Sequence, residues 1–295
     1  MSMTCLSSQM TVFNNPAVFV GLDLQYFEDG LAFSQTRYIE KMAQLFRQHE
    51  SNPVDSPMEF NLTLSISEEL NDDTEYRAII GALLYVAWHS RPDIAYSVNK
   101  LSQHQGRVTS TVKAYARRVI QYLFHTRSYH IVYTHLGSVA DRRNISAFID
   151  AAFVKEEKSR SCTRYIFYNG TNPVHWNTKL QTLVTSSSTA AEIMAIADAS
   201  DDLLAIKHLL FELFGNTELA IVYEYYLSAS RTIEGRNTKR MRYVLIKSDL
   251  VSLLIEKKLI CVAPVPGKFQ LADPLTKALP ASLLKQFTDA IFGKN

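Results

Sequence analysis

The sequence predicts an α/β fold, a mixed sheet flanked by helices and preceded by a β-hairpin and a mainly helical region. Three observations predict it. The runs Ile145 to Ala151, Cys162 to Tyr168 and Val174 to Thr178 are short, β-branched and aromatic, and Asn169-Gly170 closes the second as a hairpin turn. From Ser188 to about Phe214 the chain is apolar on one side (Ile193, Ile196, Leu203, Leu204, Leu210), the pattern of a long helix. Strand and helix then alternate: Leu219 to Tyr225, about Tyr243 to Lys257, and Leu259 to Ala263, before a short helix at Ala272-Asp273-Pro274 and a last one over about Ser282 to Phe292. That order is an α/β layer.

The elements before residue 141 follow from the same rules. Val18 to Leu24 reads as a strand, Glu28-Asp29-Gly30 as a turn and Leu31 to Gln35 as its hairpin partner. Ile39, Met42, Leu45 and Phe46 mark one face of a helix over Tyr38 to Phe46. Asn52-Pro53 and Ser56-Pro57 end it. A polar loop follows, and Asn71-Asp72-Asp73 is expected to cap the next helix, Tyr76 to His89. Pro92 opens a second helix, with Asp93 at its positive end. Val112 to His125 forms a third.

Composition sets the class. A hydrophobic content of 47% and a charged content of 20% belong to a folded globular chain of one large or two ordinary domains. The three cysteines, Cys5, Cys162 and Cys261, lack metal-type spacing and cannot all pair, as in an intracellular protein with reduced thiols. No apolar run is long enough to span a membrane, and the first residues lack a secretory pattern. A cytoplasmic or nuclear location is expected.

Two groups of side chains could carry chemistry. Asp150 ends the first strand of the later sheet, Glu192 lies in the first turns of the long helix, and Asp273 begins a late helix. Carboxylates that converge at a sheet edge repel one another unless divalent cations neutralise them, and oxygen ligands suit Mg2+ or Mn2+. A pair of such ions can stabilise the attacking and leaving oxygens of a phosphodiester. Taken singly, each acid also reads as a surface or capping residue. The second group is basic. Lys113, Arg117 and Arg118 share a broad helix face beside Tyr115 and Tyr122, and the segment Arg231 to Lys247 holds six Arg or Lys against Glu234 alone, among them Arg236, Lys239, Arg240 and Arg242. With Lys179 they form a candidate nucleic-acid surface or, equally, a solvated one.

Several ordered motifs resemble the end of the Pol polyprotein of copia-type LTR retrotransposons, the class that includes yeast Ty elements. They are Tyr76-Arg77-Ala78-Ile79-Ile80-Gly81-Ala82-Leu83-Leu84-Tyr85 with Arg91-Pro92-Asp93-Ile94, then Trp176, Thr178-Lys179, Gln181, Ser187-Ser188-Thr189 and Ala191-Glu192, then Leu271-Ala272-Asp273 with Thr276-Lys277 and Leu279-Pro280. The resemblance implies the palm end and thumb or connection of a reverse transcriptase over 1–140, and an RNase H domain over 141–295. It also implies hydrolysis of the RNA strand of RNA–DNA hybrids by two Mg2+ ions on four acids. Asp150, Glu192 and Asp273 match the first, second and fourth of them.

The departures bear on activity. The polymerase's Tyr-Val-Asp-Asp box does not occur, and Asp72-Asp73 is no substitute for it. Tyr225 stands where the family has its third RNase H aspartate. Glu224 is adjacent, but alternation along a strand points it to the other face, so a one-residue slip would be needed. Arg164 occupies a position that is usually glycine, and Ala190 replaces a family glutamate. Three readings follow: an inactive truncated Pol fragment that needs no cofactor, a weakly active Mg2+- or Mn2+-dependent RNase H, and a non-catalytic nucleic-acid-binding module. The original partners would be an RNA–DNA hybrid and the rest of Pol. Oligomeric state is not legible.

Overall fold

The computed structural model describes residues 14–60, 62, 73–134, 143–153, 160–185, 187–215, 219–224, 242–275 and 277–292. Two sheets organise them. The first has the order β1-β2-β3-β4, with β1 at Val18–Phe19, β2 at Leu22–Phe27, β3 at Gly30–Ser34 and β4 at Ile131–Thr134. The expected single strand from Val18 to Leu24 is therefore two strands. Phe19 pairs with Leu22, and the two residues between them, Val20 and Gly21, have φ of 47° and 76°. Positive φ at both central residues is the geometry of the tight hairpin turn, which a glycine favours and a valine tolerates poorly. The second hairpin, β2 to β3, turns at Glu28-Asp29 as expected. The strand β4 was not foreseen.

Four helices pack on this sheet: α1 (Thr36–Leu45), α2 (Thr74–His89), α3 (Ala95–Ser102, entered through a 3-10 turn at Pro92–Ile94) and α4 (Ser110–His125). Thr109 caps α4 by accepting from the Val112 N–H at 3.2 Å. Asp73 does not cap α2 with its side chain as expected; it pairs with Arg77 one turn on, at 2.6 Å. Asp93 lies in the first turn after Pro92, as expected. It is buried beside Arg91, which is 0% exposed and donates to both Asp93 oxygens, at 2.9 and 2.6 Å. Tyr122 donates to Asp93 at 2.9 Å, and Thr126 O accepts from Arg91 at 3.0 Å. Bidentate geometry and these extra bonds are what make a buried ion pair tolerable.

The second sheet has the order β7-β6-β5-β8-β9. Its strands are β5 (Ile145–Ala152), β6 (Cys162–Asn169), β7 (Asn172–Leu180), β8 (Ala220–Glu224) and β9 (Ile260–Pro264). The first three are antiparallel neighbours, and β8 and β9 add in parallel. Parallel addition needs a crossover, supplied by α5 (Ser188–Phe214) before β8 and by α6 (Arg242–Glu256) before β9. This is the mixed sheet of an RNase H-like fold.

Each face of the sheet belongs to a different core. Ile145, Ala147, Ile149, Ala220 and Val222 pack under α5 and α6 with Ile193, Ile196 and Val251. Ile166, Tyr168 and Trp176 face the helical region and join Ile79, Leu83, Val98 and Val119. Hence β6 is buried over nearly its whole length, and Tyr165 to Tyr168 within it is an unbroken run of large aromatic and aliphatic side chains rather than an alternating one. The last helix, α7 (Ala281–Phe292), joins that second core through Phe287, Ile291 and Phe292. Polar ties cross the same boundary: Trp176 Nε1 donates to Ala87 O at 2.7 Å, Asn99 Nδ2 to Thr178 O at 2.9 Å, and Tyr133 OH to Pro173 O at 2.8 Å.

Candidate active site

Three short local structures set the acids. Ser187 accepts from the Ala190 N–H at 3.1 Å and starts α5, which carries Glu192. Gln181, fully buried at the end of β7, holds that helix start by donating to Ala191 O at 2.8 Å and to Thr163 Oγ1 at 3.2 Å. Gln270 does the same for the late turn. Its Nε2 donates to Ile149 O at 3.0 Å, and its Oε1 accepts from the Ala272 N–H at 3.2 Å. That ties Asp273, at the start of a 3-10 turn, to the strand that carries Asp150. Burial, and to a lesser degree the Asp273 charge, raises the Asp150 pKa.

A fourth carboxyl joins them that the sequence reading set aside. Along β8 the buried positions are Ala220, Val222 and Glu224, while Ile221 is exposed. Glu224 is therefore in phase with the core, on the face opposite Tyr223 as alternation along the strand expects, and there it neighbours Glu192. It is 4% exposed, and Glu192 is 7% exposed. Among the described residues, neither Glu224 oxygen nor Glu192 Oε2 meets a protein donor. A proton on Glu224 would be donated to Glu192. Burial, then the Asp150 charge, pushes Glu192 up to about 7; burial, then the Glu192 charge, pushes Glu224 up to about 9.

Protein cations face the other two acids. Arg164 lies directly across the β5–β6 ladder from Asp150. Burial raises the Asp150 pKa, and the Arg164 charge opposes that rise. Lys277 pairs with Asp273 at 2.8 Å.

No family model matches the chain. It is 31% identical over 282 residues to the retrovirus-related Pol polyprotein from transposon RE1 of Arabidopsis thaliana, an alignment that covers 92% of this chain and 19% of that protein. It is 32% identical to an uncharacterized mitochondrial protein of the same plant, over 61% of this chain and 73% of that protein. The chain belongs to the retrovirus-related Pol polyproteins of copia-type transposons. It spans about a fifth of the length of the Pol relative from RE1. Among solved structures, the RNase H1 isolated from compost as LC11 is similar, with 15% identity, 45% of this chain and 92% of that chain covered, and a TM-score of 0.37.

The Pol family implies a divalent metal at the acids, and the residues present fit it poorly. The donor type is right, since all four are hard oxygen ligands. The charge balance is not. Asp150 lies in the field of Arg164, Asp273 pairs with Lys277, and Glu192 and Glu224 have one proton to share. Among the described residues no group of three His, Cys, Asp or Glu is arranged to hold a metal ion.

The basic candidates of this Pol chain divide similarly. Lys113 and Arg117 both sit on Glu75, at 2.6 and 2.5 Å, and Arg118 Nη1 lies 3.6 Å from Glu59. Their charge is largely matched by acids on neighbouring elements. Lys179 lies against α5, its Nζ 3.4 Å from Asp198 O and over the Tyr165 ring. Tyr225, Arg236, Lys239 and Arg240 lie outside the described residues, and of Arg242 only the backbone, at the start of α6, is described.

Proposed function

We propose that this Pol fragment carries an RNase H domain that does not cleave. The observation that carries the reading is the charge balance at the acids. Four carboxyls that would need two divalent ions are offset here by Arg164, Lys277 and a shared proton. Tyr225 at the family's third acidic position supports the same reading. The fragment descends from a polymerase–nuclease that acts on RNA–DNA hybrids inside the cell. The exposed apolar run Val18-Phe19-Val20, with Tyr26 and Phe27, suits a surface once covered by the rest of Pol. Purified protein incubated with a labelled RNA–DNA hybrid and Mg2+ or Mn2+ is expected to leave the RNA strand intact.

A second reading rests on Glu224. Its buried, unmet oxygens next to Glu192 are where a third metal-binding carboxylate would be needed. Under that reading the same assay shows metal-dependent cleavage that Glu192→Gln and Glu224→Gln each abolish. Such a result would remove the first reading.

A further inference from the structure

We infer that the Arg164 guanidinium stands in for a divalent cation beside Asp150, so that the acid cluster binds such ions only when this side chain loses its charge. The inference rests on the reading of the domain as non-cleaving and gives it a cause in one residue.

Arg164 is the cross-strand partner of Asp150, so both side chains leave the sheet on the same face. It is 4% exposed, and among the described residues neither its Nε nor its Nη1 meets a protein acceptor. A buried guanidinium is tolerated only where opposite charge faces it. The groups that face it are Asp150 from β5, Cys162 from its own strand and the ring of Tyr96 from α3, 5.5 Å from the guanidinium carbon. Asp150 is the one fixed anion among these three. Each therefore offsets part of the other's burial cost across the ladder, although among the described residues the two do not come close enough to form an ion pair. A divalent ion approaching Asp150 would meet a fixed positive charge and compete with it for the same carboxylate. Lys277 is not an equivalent block, because it is more than half exposed and can swing into solvent. The unmet oxygens of Glu192 and Glu224 show that the cluster retains acceptors that a cation could satisfy.

The test is a Mn2+ titration of the whole chain, read by the electron paramagnetic resonance signal of free Mn2+. Wild type is expected to bind more weakly than about 1 mM, and Arg164→Met at least about tenfold more tightly. Arg164→Lys should behave as wild type, since it keeps the charge. Adding Glu192→Gln to Arg164→Met should remove the gain. Wild type binding as tightly as Arg164→Met would overturn the inference, as would a folded Arg164→Met with no gain. Arg164→Gln serves if the methionine variant does not fold. If neither folds, the guanidinium is a structural element and the inference fails. The readout is separate from catalysis: wild-type cleavage of the hybrid would defeat the non-cleaving reading, whereas tight wild-type Mn2+ binding without cleavage defeats only this one.

Discussion

Glu224 and Glu192 bury two carboxyls against each other, and that arrangement has a consequence for stability in the absence of metal. Both have pKa values raised above the ordinary carboxylate range, to about 9 and about 7. The folded state therefore holds protons that the unfolded chain has released. Stability from this source is complete below the unfolded value and is lost as pH rises through the folded ones. In EDTA, urea unfolding is expected to show a loss of several kcal/mol between pH 5 and pH 9, at about 1.4 kcal/mol per pH unit for each proton held. Glu224→Gln should flatten most of that slope, because a neutral amide needs no proton to stay buried. An unchanged slope would mean that the pair does not hold the proton. Arg91 presents the opposite case, a buried charge that is fully answered. Arg91→Met leaves Asp93 inside the protein with only Tyr122 as donor, and a loss of about 3–5 kcal/mol is expected in the same assay at neutral pH. A loss below about 1 kcal/mol would show that Asp93 finds water or becomes protonated at little cost.

Among the elements, α5 decides where Glu192 sits, and its start rests on one hydroxyl and one amide. Ser187→Ala removes the cap bond to Ala190 and is expected to cost about 1 kcal/mol, read from the urea midpoint. Gln181→Ala should cost more, about 1–3 kcal/mol, because Ala191 O loses its side-chain donor in a fully buried place. Much of this element pattern was legible in the sequence. The long helix, the three antiparallel strands and the later alternation follow from hydrophobic period alone, and the five-stranded sheet assembles from them. Other features were not legible, for physical reasons. The break in the Val18 to Leu24 run comes from a turn at Val20-Gly21, where a valine takes a conformation that propensity assigns to asparagine or glycine. The strand β4 is four residues long and pairs with β3, which lies nearly a hundred residues earlier, so no local turn announces it. Its Ile131-Val132-Tyr133-Thr134 composition was nonetheless a β signal. Glu224 is the instructive case at the site. Alternation through Ala220 and Val222 already put it on the buried face, whereas attention to the family's aspartate position led to Tyr225. Arg164 was visible as a departure, but its pairing with Asp150 depends on strand register, which only the assembled sheet supplies.

Across the whole molecule, the RNase H-type sheet is not closed on itself. One face is covered by its own helices α5 and α6, and the other by helices that precede it in the chain, together with α7, which ends it. A sheet whose second apolar face is covered only by another region cannot unfold independently of that region. The boundary is also polar at defined points, with Trp176, Asn99 and Tyr133 each bonded to backbone carbonyls across it. The chain is therefore expected to unfold in one transition. The chain holds two tryptophans, and Trp176 lies at that boundary while Trp88 is 60% exposed on the last turn of α2. In a Trp88→Phe background, fluorescence reports Trp176 alone. Its denaturation curve should coincide with the far-ultraviolet circular dichroism curve within experimental error. Residues 141–295 expressed without the preceding region should expose Ile166, Tyr168 and Trp176, bind anilinonaphthalene sulfonate and lose the sharp transition. Two separated transitions in the intact chain, or a separately expressed sheet with a sharp transition of its own, would show that the two cores are independent. In that case the helices before the sheet would cover it without being needed to hold it together.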